Sequence, residues 1–221
     1  RTIKYVGISV PLLYISSLSL AVLLIQKIKF KGFFRAVFYW PTMISFIIVG
    51  VTWKWLLGDN FGIVNYLLEL WGMEPIRWLT DAIPSNMAVI AATIWSRAGF
   101  YMVMFIAGLQ SIPDSYYEAS EVDGATSVQR FWHITIPLLK PTSFLVLTLS
   151  MIDTFKSYAL VYSLTEGGPA KATTYLVQTI YEYGFQKYQM GYASALSVIL
   201  FMIIGVLTFI QFKVSDGGEV Q

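Results

Sequence analysis

The feature that most constrains this chain is a series of long uncharged segments. Every residue from Val6 to Ile25 is uncharged, and most are Leu, Ile, Val or Ser. At about 1.5 Å of rise per residue, a helix of this length crosses a hydrocarbon layer of roughly 30 Å. Four further segments are mainly apolar, at 36–53, 83–110, 142–164 and 190–212. Because helices satisfy their own backbone groups inside lipid, the sequence predicts an all-α, multi-pass transmembrane helix bundle with five spans.

Composition limits the chemistry that such a chain can perform. Only 13% of the residues are charged, against about 25% in a soluble domain. The absence of cysteine, with His133 as the single histidine, argues against disulfides and against a metal site. No recognised hydrolase motif surrounds His133, so we expect it to pack against its aromatic neighbours, with no catalytic residue on this chain. The net charge of +2 is scattered, which argues against a nucleic-acid partner.

Basic residues set the expected orientation in a membrane. The connection between the first two spans carries four of them: Lys27, Lys29, Lys31 and Arg35. The positive-inside rule places this connection in the cytoplasm. Alternation then puts 54–82 and 165–189 outside, and 111–141 inside. This arrangement starts outside and the first residue is Arg, so we expect a further span to precede residue 1.

The longest polar segment with a pattern of its own is 111–141. Asp114 is expected to cap a short helix, and the Asp123-Gly124 pair predicts a tight turn because glycine accepts the left-handed conformation. Apolar residues then return at helical spacing until Pro137, which is expected to end the element. The pattern indicates a short helix, a turn and a second short helix beneath the bilayer. Such a compact shape is suited to a groove on a cytoplasmic partner.

The spacing within this segment resembles a known loop. Glu118-Ala119-Ser120, three residues, Gly124, nine residues and Ile134, followed by Ile136-Pro137, is similar to the EAA loop of the membrane subunits of ATP-binding-cassette (ABC) importers. Ser120 and Ile136 stand where that family has alanine and leucine. Segments 33–41, 164–169 and 191–196 resemble the sugar branch of these binding-protein-dependent importers, which includes the larger membrane subunit of maltose importers.

The resemblance implies a mechanism and a set of partners. It implies a type I ABC importer fold in a bacterial plasma membrane, with 1–221 as one transmembrane domain and 111–141 as the coupling loop within it. In such importers the loop docks into an ATPase subunit, and ATP-driven closure of two ATPases reorients the spans. The implied coupling residues are Glu118, Ala119, Ser120, Asp123 and Gly124. A solvated helix face or a helix cap is the alternative role for Glu118 and Asp123.

The implied partners are a second homologous permease subunit, two ATPase subunits, an extracytoplasmic solute-binding protein, membrane lipid and a sugar. The chain lacks the Gly-x-x-x-x-Gly-Lys-Ser/Thr loop that holds ATP phosphates. We therefore expect no cofactor on this chain, and ATP with Mg on the separate ATPase subunits. Import of amino acids or polyamines, a membrane-embedded enzyme and a non-transporting scaffold are the alternative functions.

Polar residues within the spans are the candidates for the substrate path. Ionisable groups are costly in lipid and are functional candidates by default; the three here are Arg97, Asp153 and Lys156. Asp153 and Lys156 lie three apart, so mutual neutralisation and contact with substrate both remain open.

Uncharged residues complete the candidate substrate path. Thr154 and Ser157 match positions at which the maltose importer's subunit carries asparagines facing the sugar. Trp95 and Tyr101 offer aromatic faces beside Arg97 on the third span, and such faces suit sugar rings. Helix packing is the alternative role for each.

Overall fold

The computed structural model describes residues 1–26 and 29–214, so Lys27 of the basic connection lies outside the described residues. The helices are α1 (Thr2–Ile25), α2 (Lys31–Tyr39), α3 (Phe46–Leu56), α4 (Ile63–Leu70), α5 (Ala82–Gln110), α6 (Asp114–Val122), α7 (Ser127–Leu138), α8 (Lys140–Phe155), α9 (Ala159–Thr165), α10 (Leu176–Tyr181) and α11 (Met190–Val214). Strands do not occur anywhere in these two ranges. The all-α prediction is confirmed.

Three helices are long and apolar enough to cross a membrane without a break. These are α1 with 24 residues, α5 with 29 and α11 with 25, and they coincide with the first, third and fifth predicted spans. Two bent helix pairs, α2 with α3 and α7 with α8, raise the number of spans to five if each pair crosses once. The structure is therefore a multi-pass helix bundle.

The second predicted span is not one continuous helix. It begins earlier than residue 36, at Lys31, and a 3-10 turn at Trp40–Met43 separates α2 from α3. The segment Lys31–Met43, which includes this turn, and α3 are bent by 100° relative to each other. Pro41 lies inside this turn, and Ile44 after it is extended, with φ −82° and ψ 138°. Proline has no backbone N–H and its ring obstructs the preceding turn, which explains why α2 ends just before it. The bend itself follows at the extended Ile44.

The fourth predicted span, 142–164, is also interrupted. α8 ends at Phe155 and α9 begins only at Ala159. At membrane depth, non-helical backbone is tolerated where it lines a cavity. The residues of this gap do line one, as described below, so the break is a part of the candidate site.

Side-chain contacts define the relative directions of α1, α5, α8 and α11. Tyr5, near the start of α1, has its hydroxyl 2.9 Å from the hydroxyl of Thr93, and the ring of Tyr14 lies 5.2 Å from that of Phe105. Residues later in α1 therefore contact residues later in α5, so the two helices are parallel. One span that runs in the opposite direction must therefore lie between them in the chain, as the predicted alternation requires.

The remaining long helices run in alternate directions. α8 is antiparallel to α5, because Thr142 near its start contacts Gly108 near the end of α5. α11 is antiparallel to α8, because Gln211 near its end donates a hydrogen bond of 3.0 Å to the Phe144 carbonyl oxygen. The ends of the bundle are thereby defined, and we call the end that carries α6 and α7 the inner end.

The outer end is held together by contacts between distant segments. Arg1 donates to the Lys171 carbonyl oxygen at 2.6 Å, and Tyr175 donates to the Asn86 side-chain oxygen at 3.0 Å. The Lys54 ammonium lies 2.8 Å from the Glu166 carboxylate. This hydrogen bond and the positive charge of Lys54 lower the pKa of Glu166 from its usual value.

The loop between α3 and α5 folds around one amide. Asn65 on α4 donates to the carbonyl oxygens of Asp59 and Ile76, and its own oxygen accepts from the Trp78 indole at 3.0 Å. Asn65 is buried while most of α4 is exposed. A buried amide that satisfies its polar atoms in this way fixes the loop's shape.

Close packing between helices depends on small residues. A Cβ added to Gly99 on α5 would overlap the carbonyl group of Phe38, at the end of α2. Glycine is therefore what allows α2 to cross α5 at backbone contact, as small residues do in membrane helix pairs.

Candidate functional site

The break between α8 and α9 opens onto a cavity of about 250 Å³. It is bounded by α1, α3, α5 and α8, together with the start of α9. The lining residues are Leu13, Phe46, Thr93, Ser96, Arg97, Tyr101, Asp153, Thr154, Lys156, Ser157, Tyr158, Ala159 and Leu160. Six of the seven residues proposed for the substrate path line this one cavity, namely Arg97, Tyr101, Asp153, Thr154, Lys156 and Ser157.

The charge in the cavity is organised around Asp153. Its Oδ2 atom lies 3.4 Å from a guanidinium nitrogen of Arg97, and the Tyr101 hydroxyl donates to the same oxygen at 2.8 Å. The Arg97 guanidinium also lies over the Phe46 ring, 4.3 Å from its centre. The carboxylate is thereby paired across helices, and Arg97 is held between an anion and an aromatic face.

The neutralisation of Asp153 by Lys156 that the sequence allowed is not what the structure shows. The partner of Asp153 is Arg97 on α5, and across the residues that the structure describes Lys156 has no ion pair. The reason is local, since α8 ends at Phe155 and Lys156 follows it at the break. The cavity lining therefore carries two cationic side chains and one carboxylate.

The hydroxyl groups of the cavity are oriented by their own helices. Thr154 donates to the Ser150 carbonyl oxygen at 2.6 Å, and Thr93 donates to the Val89 carbonyl oxygen at 2.8 Å. A hydroxyl that donates to the backbone keeps its oxygen lone pairs as acceptors. Together with the N–H donors of Arg97 and Lys156, these groups can both accept from and donate to a hydroxylated solute.

Sequence reasoning missed several lining residues and misplaced one. Thr93, Arg97 and Tyr101 recur every four residues on α5, so helical spacing from Arg97 could have identified Thr93. Phe46 gave no such signal, because it belongs to the broken second span. Trp95 is absent from the lining; its ring packs edge-on against Trp53, with ring centres 6.1 Å apart.

The second candidate site is the inner-end knob, which we define as residues 114–138. Asp114 does not cap α6 as expected: Pro113 occupies the capping position and Asp114 is the first helical residue. A carboxylate there still complements the helix dipole. The predicted turn is confirmed, since Gly124 has φ +75°. The Gly124 and Ala125 N–H groups donate to carbonyl oxygens near the end of α6, at 3.0 and 2.9 Å, which closes the helix in a Schellman motif.

Pro137 does not end the second helix of the knob. α7 passes through a π turn at Phe131–Thr135, in which the Ile136 N–H donates to the Phe131 carbonyl oxygen, and it continues through Pro137 to Leu138. A wide turn directly before the proline makes room for a ring that would otherwise clash with the previous turn. The bend between α7 and α8 is 68°.

The knob is cross-linked internally. The Arg130 guanidinium lies 2.6 Å from the Glu121 carboxylate, and the Tyr117 hydroxyl lies 3.0 Å from the hydroxyl of Thr135. Ser120 is buried and donates to the Tyr117 carbonyl oxygen at 2.7 Å. The contacts of Arg130 with Glu121 and of Tyr117 with Thr135 tie α6 to α7 across the turn, so the knob has one defined shape.

The predicted coupling residues occupy two different positions on the knob. Glu118, Ala119, Asp123 and Gly124 are exposed on its surface, whereas Ser120 lies inside it. His133 is exposed as well, with Nδ1 3.0 Å from the Gln129 carbonyl oxygen. The expected packing of His133 is therefore wrong.

Comparison with known proteins gives one family and several relatives. The sequence profile of the binding-protein-dependent transport system inner membrane component family matches residues 1–217. The trehalose/maltose transport system permease protein MalF of Thermococcus litoralis is 34% identical over 213 residues, which cover 96% of this chain and 72% of that protein. The sn-glycerol-3-phosphate transport system permease protein UgpA of Agrobacterium fabrum is 36% identical over 204 residues, covering 89% and 69%.

A solved structure shares the fold. A chain of a bacterial ABC transporter involved in the import of the acidic polysaccharide alginate superposes with a TM-score of 0.88, at 24% sequence identity. The match covers 97% of the present chain and 76% of the other. The fold of the present chain has therefore been seen in a solved structure.

Proposed function

The chain belongs to the family of binding-protein-dependent transport system inner membrane components, and on this premise we propose that it is a permease subunit of an ATP-driven importer for a sugar or oligosaccharide. The observation that carries the proposal is the polar cavity beside the break between α8 and α9, inside an otherwise apolar bundle. Its acceptor hydroxyls and cationic donors suit a solute rich in hydroxyl groups. Solute passes by alternating access, with the cavity open to one side at a time.

The charges of the cavity weigh against one alternative substrate class. Two cationic side chains, Arg97 and Lys156, accompany the single carboxylate of Asp153. A polyamine would bring further positive charge into a site that already has an excess of it, and like charges repel strongly where water is scarce. A neutral or acidic carbohydrate meets no such penalty.

The knob is proposed to couple the bundle to an ATPase subunit. Glu118, Ala119 and Asp123 are exposed and available for contact, and the small Gly124 surface permits close approach. Ser120 is buried inside the knob, where its hydroxyl donates to the Tyr117 carbonyl oxygen of the same helix. ATP and Mg bind to the ATPase subunits in this proposal.

Other surfaces are assigned to the remaining partners. Along α11 only Ala193 is buried, so most of this helix is available to lipid and to a second permease subunit. The outer end, where distant segments are tied together, is the side that receives a solute-binding protein. An importer of this kind comprises two permease subunits and two ATPases.

The test is reconstitution of the assembled importer in lipid vesicles with its ATPases and binding protein. ATP-dependent uptake of a labelled panel of neutral and acidic di- and oligosaccharides is measured together with ATP hydrolysis. We expect at least one carbohydrate to accumulate. Stimulation of ATP hydrolysis by an amino acid or a polyamine, with no carbohydrate accumulated, would overturn the proposed substrate class.

Coupling is tested by Gly124→Val. A side chain at φ +75° strains the turn, at a cost of about 1–2 kcal/mol, and enlarges the proposed ATPase contact. The expected result is continued ATP hydrolysis with uptake lowered severalfold. Gly72→Val is the matched control, because Gly72 has φ +74° with open space around it at the other end of the bundle. Normal uptake by Gly124→Val would contradict the coupling role.

A further inference from the structure

Four aromatic rings form a continuous ladder beside the cavity. We call Tyr162, Tyr158, Tyr181 and Phe185 the aromatic ladder. Successive ring centres are 5.4 Å apart from Tyr162 to Tyr158, 4.9 Å from Tyr158 to Tyr181 and 5.3 Å from Tyr181 to Phe185. The ladder joins two helical segments. Tyr158 directly precedes α9, and Tyr162 lies one turn later within it. Tyr181 is the last residue of α10, and Phe185 lies one turn later in the π turn that follows.

The ladder leads from the cavity to the outer end. Tyr158 lines the cavity, next to Ser157. Phe185 lies in the π turn at Glu182–Gln186, shortly before α11 begins at the outer end, and its side chain is 61% exposed. The cavity therefore meets the ladder at its second ring, and from there Tyr181 and Phe185 lead to a ring that is accessible from outside the bundle.

The rings of the ladder are open, unlike the packed aromatic residues elsewhere in the chain. Tyr162 and Tyr181 are 40% and 38% exposed. By contrast, Tyr5 and Tyr175 stack with ring centres 4.3 Å apart and are each only 2% exposed. Core packing accounts for that buried pair. It does not account for a run of neighbouring rings that keep accessible surface.

We propose that the aromatic ladder is a binding track on which successive sugar rings of an incoming oligosaccharide stack before they enter the cavity. The pyranose ring has C–H groups on its faces and hydroxyls at its edge, which matches the apolar face and polar tip of tyrosine. Rings about 5 Å apart offer a new contact before the previous one is lost. The inference rests on the proposed function, because it requires that the chain imports a carbohydrate.

The track predicts an effect that depends on the length of the substrate. A disaccharide contacts fewer rungs at once than a longer oligosaccharide does. Removing one rung raises the apparent KM for uptake of the oligosaccharide by roughly three- to tenfold, and raises that for the disaccharide less. Basal ATP hydrolysis stays unchanged, because the ladder and the knob lie toward opposite ends of the bundle.

The experiment uses Tyr181→Leu and Phe185→Leu in the complete importer, with uptake of the shortest and longest transported members of the carbohydrate panel. Tyr181→Phe keeps the ring and is expected to behave as wild type. Tyr188→Leu is the matched control, because Tyr188 is 82% exposed in the same outer segment and stacks on no ladder ring.

The outcomes separate this inference from the proposed function. If the wild type accumulates no carbohydrate, both are overturned. If the wild type accumulates carbohydrate and the leucine variants match Tyr188→Leu at every substrate length, the ladder alone is overturned. A failure of Tyr181→Phe to restore uptake would likewise overturn ring stacking and assign the effect to the hydroxyl.

Discussion

The ion pair between Arg97 and Asp153 gives the sharpest test of how the bundle tolerates charge. Asp153→Asn removes the carboxylate and leaves Arg97 without its partner, and Arg97→Met does the reverse. The double substitution removes both charges. Each single substitution leaves one uncompensated charge in the bundle, whereas the double substitution leaves none. We therefore expect the double variant to be more stable than either single variant.

The size of the effect follows from the burial of the two side chains. Breaking a fully buried pair costs about 3–5 kcal/mol, because an uncompensated charge remains. These side chains are 27% and 35% exposed, so solvent screening reduces the cost to roughly 1–2 kcal/mol. For a chain of this size, each kcal/mol shifts the unfolding midpoint by about 2–4 °C. We expect each single variant to lose about 2–8 °C, and the double variant to lose less than either.

The assay is thermal unfolding of the complete importer in detergent, for the wild type and the three variants. Tyr101→Phe is the control, because it removes the 2.8 Å hydrogen bond to Asp153 without removing a charge, and it is expected to cost about 1 kcal/mol. The reasoning is refuted if the loss in the double variant equals the sum of the two single losses. Additivity would mean that the two charges act independently.

Two other predictions follow from the cavity and from helix packing. Thr154→Ala and Ser157→Ala are expected to change the inhibition of uptake by competing sugars without altering assembly, and an unchanged competition profile would contradict their place in the substrate path. Gly99→Ala introduces a Cβ that overlaps the Phe38 carbonyl, which is expected to destabilise the protein by about 1–3 kcal/mol in thermal unfolding. Gly205→Ala is its control, since Gly205 has open space around it, and equal stability of the two variants would refute the close contact.

The sequence predicted the unbroken spans well and the broken ones poorly. α1, α5 and α11 follow from uncharged length alone, because hydropathy and helical rise are local properties. Hydropathy does not report backbone dihedral angles. The 100° bend near Pro41 and the gap after Phe155 therefore lay inside segments that looked uniform.

In the candidate site, too, some features could be predicted from the sequence and others could not. The polar residues of the spans were recognisable because charge is costly in lipid, and the fold brings them to one cavity. The partner of Asp153 was not recognisable, because Arg97 lies on another helix and only tertiary packing decides that contact. Likewise the EAA spacing marked Ser120, but only the folded knob shows its side chain turned inward.

The π turn before Pro137 has a mechanical consequence. It keeps α7 helical up to Leu138, and α8 starts at Lys140, so the knob is attached to α8 through a single bent joint. From Lys140 to Asp153 the helix is unbroken, a rod of about 20 Å. The cross-linked knob and this helix form a continuous connection from the inner end of the bundle to the carboxylate of the cavity. In the proposed coupling mechanism, a displacement of the knob would therefore reach Asp153 through one bend and one unbroken helix.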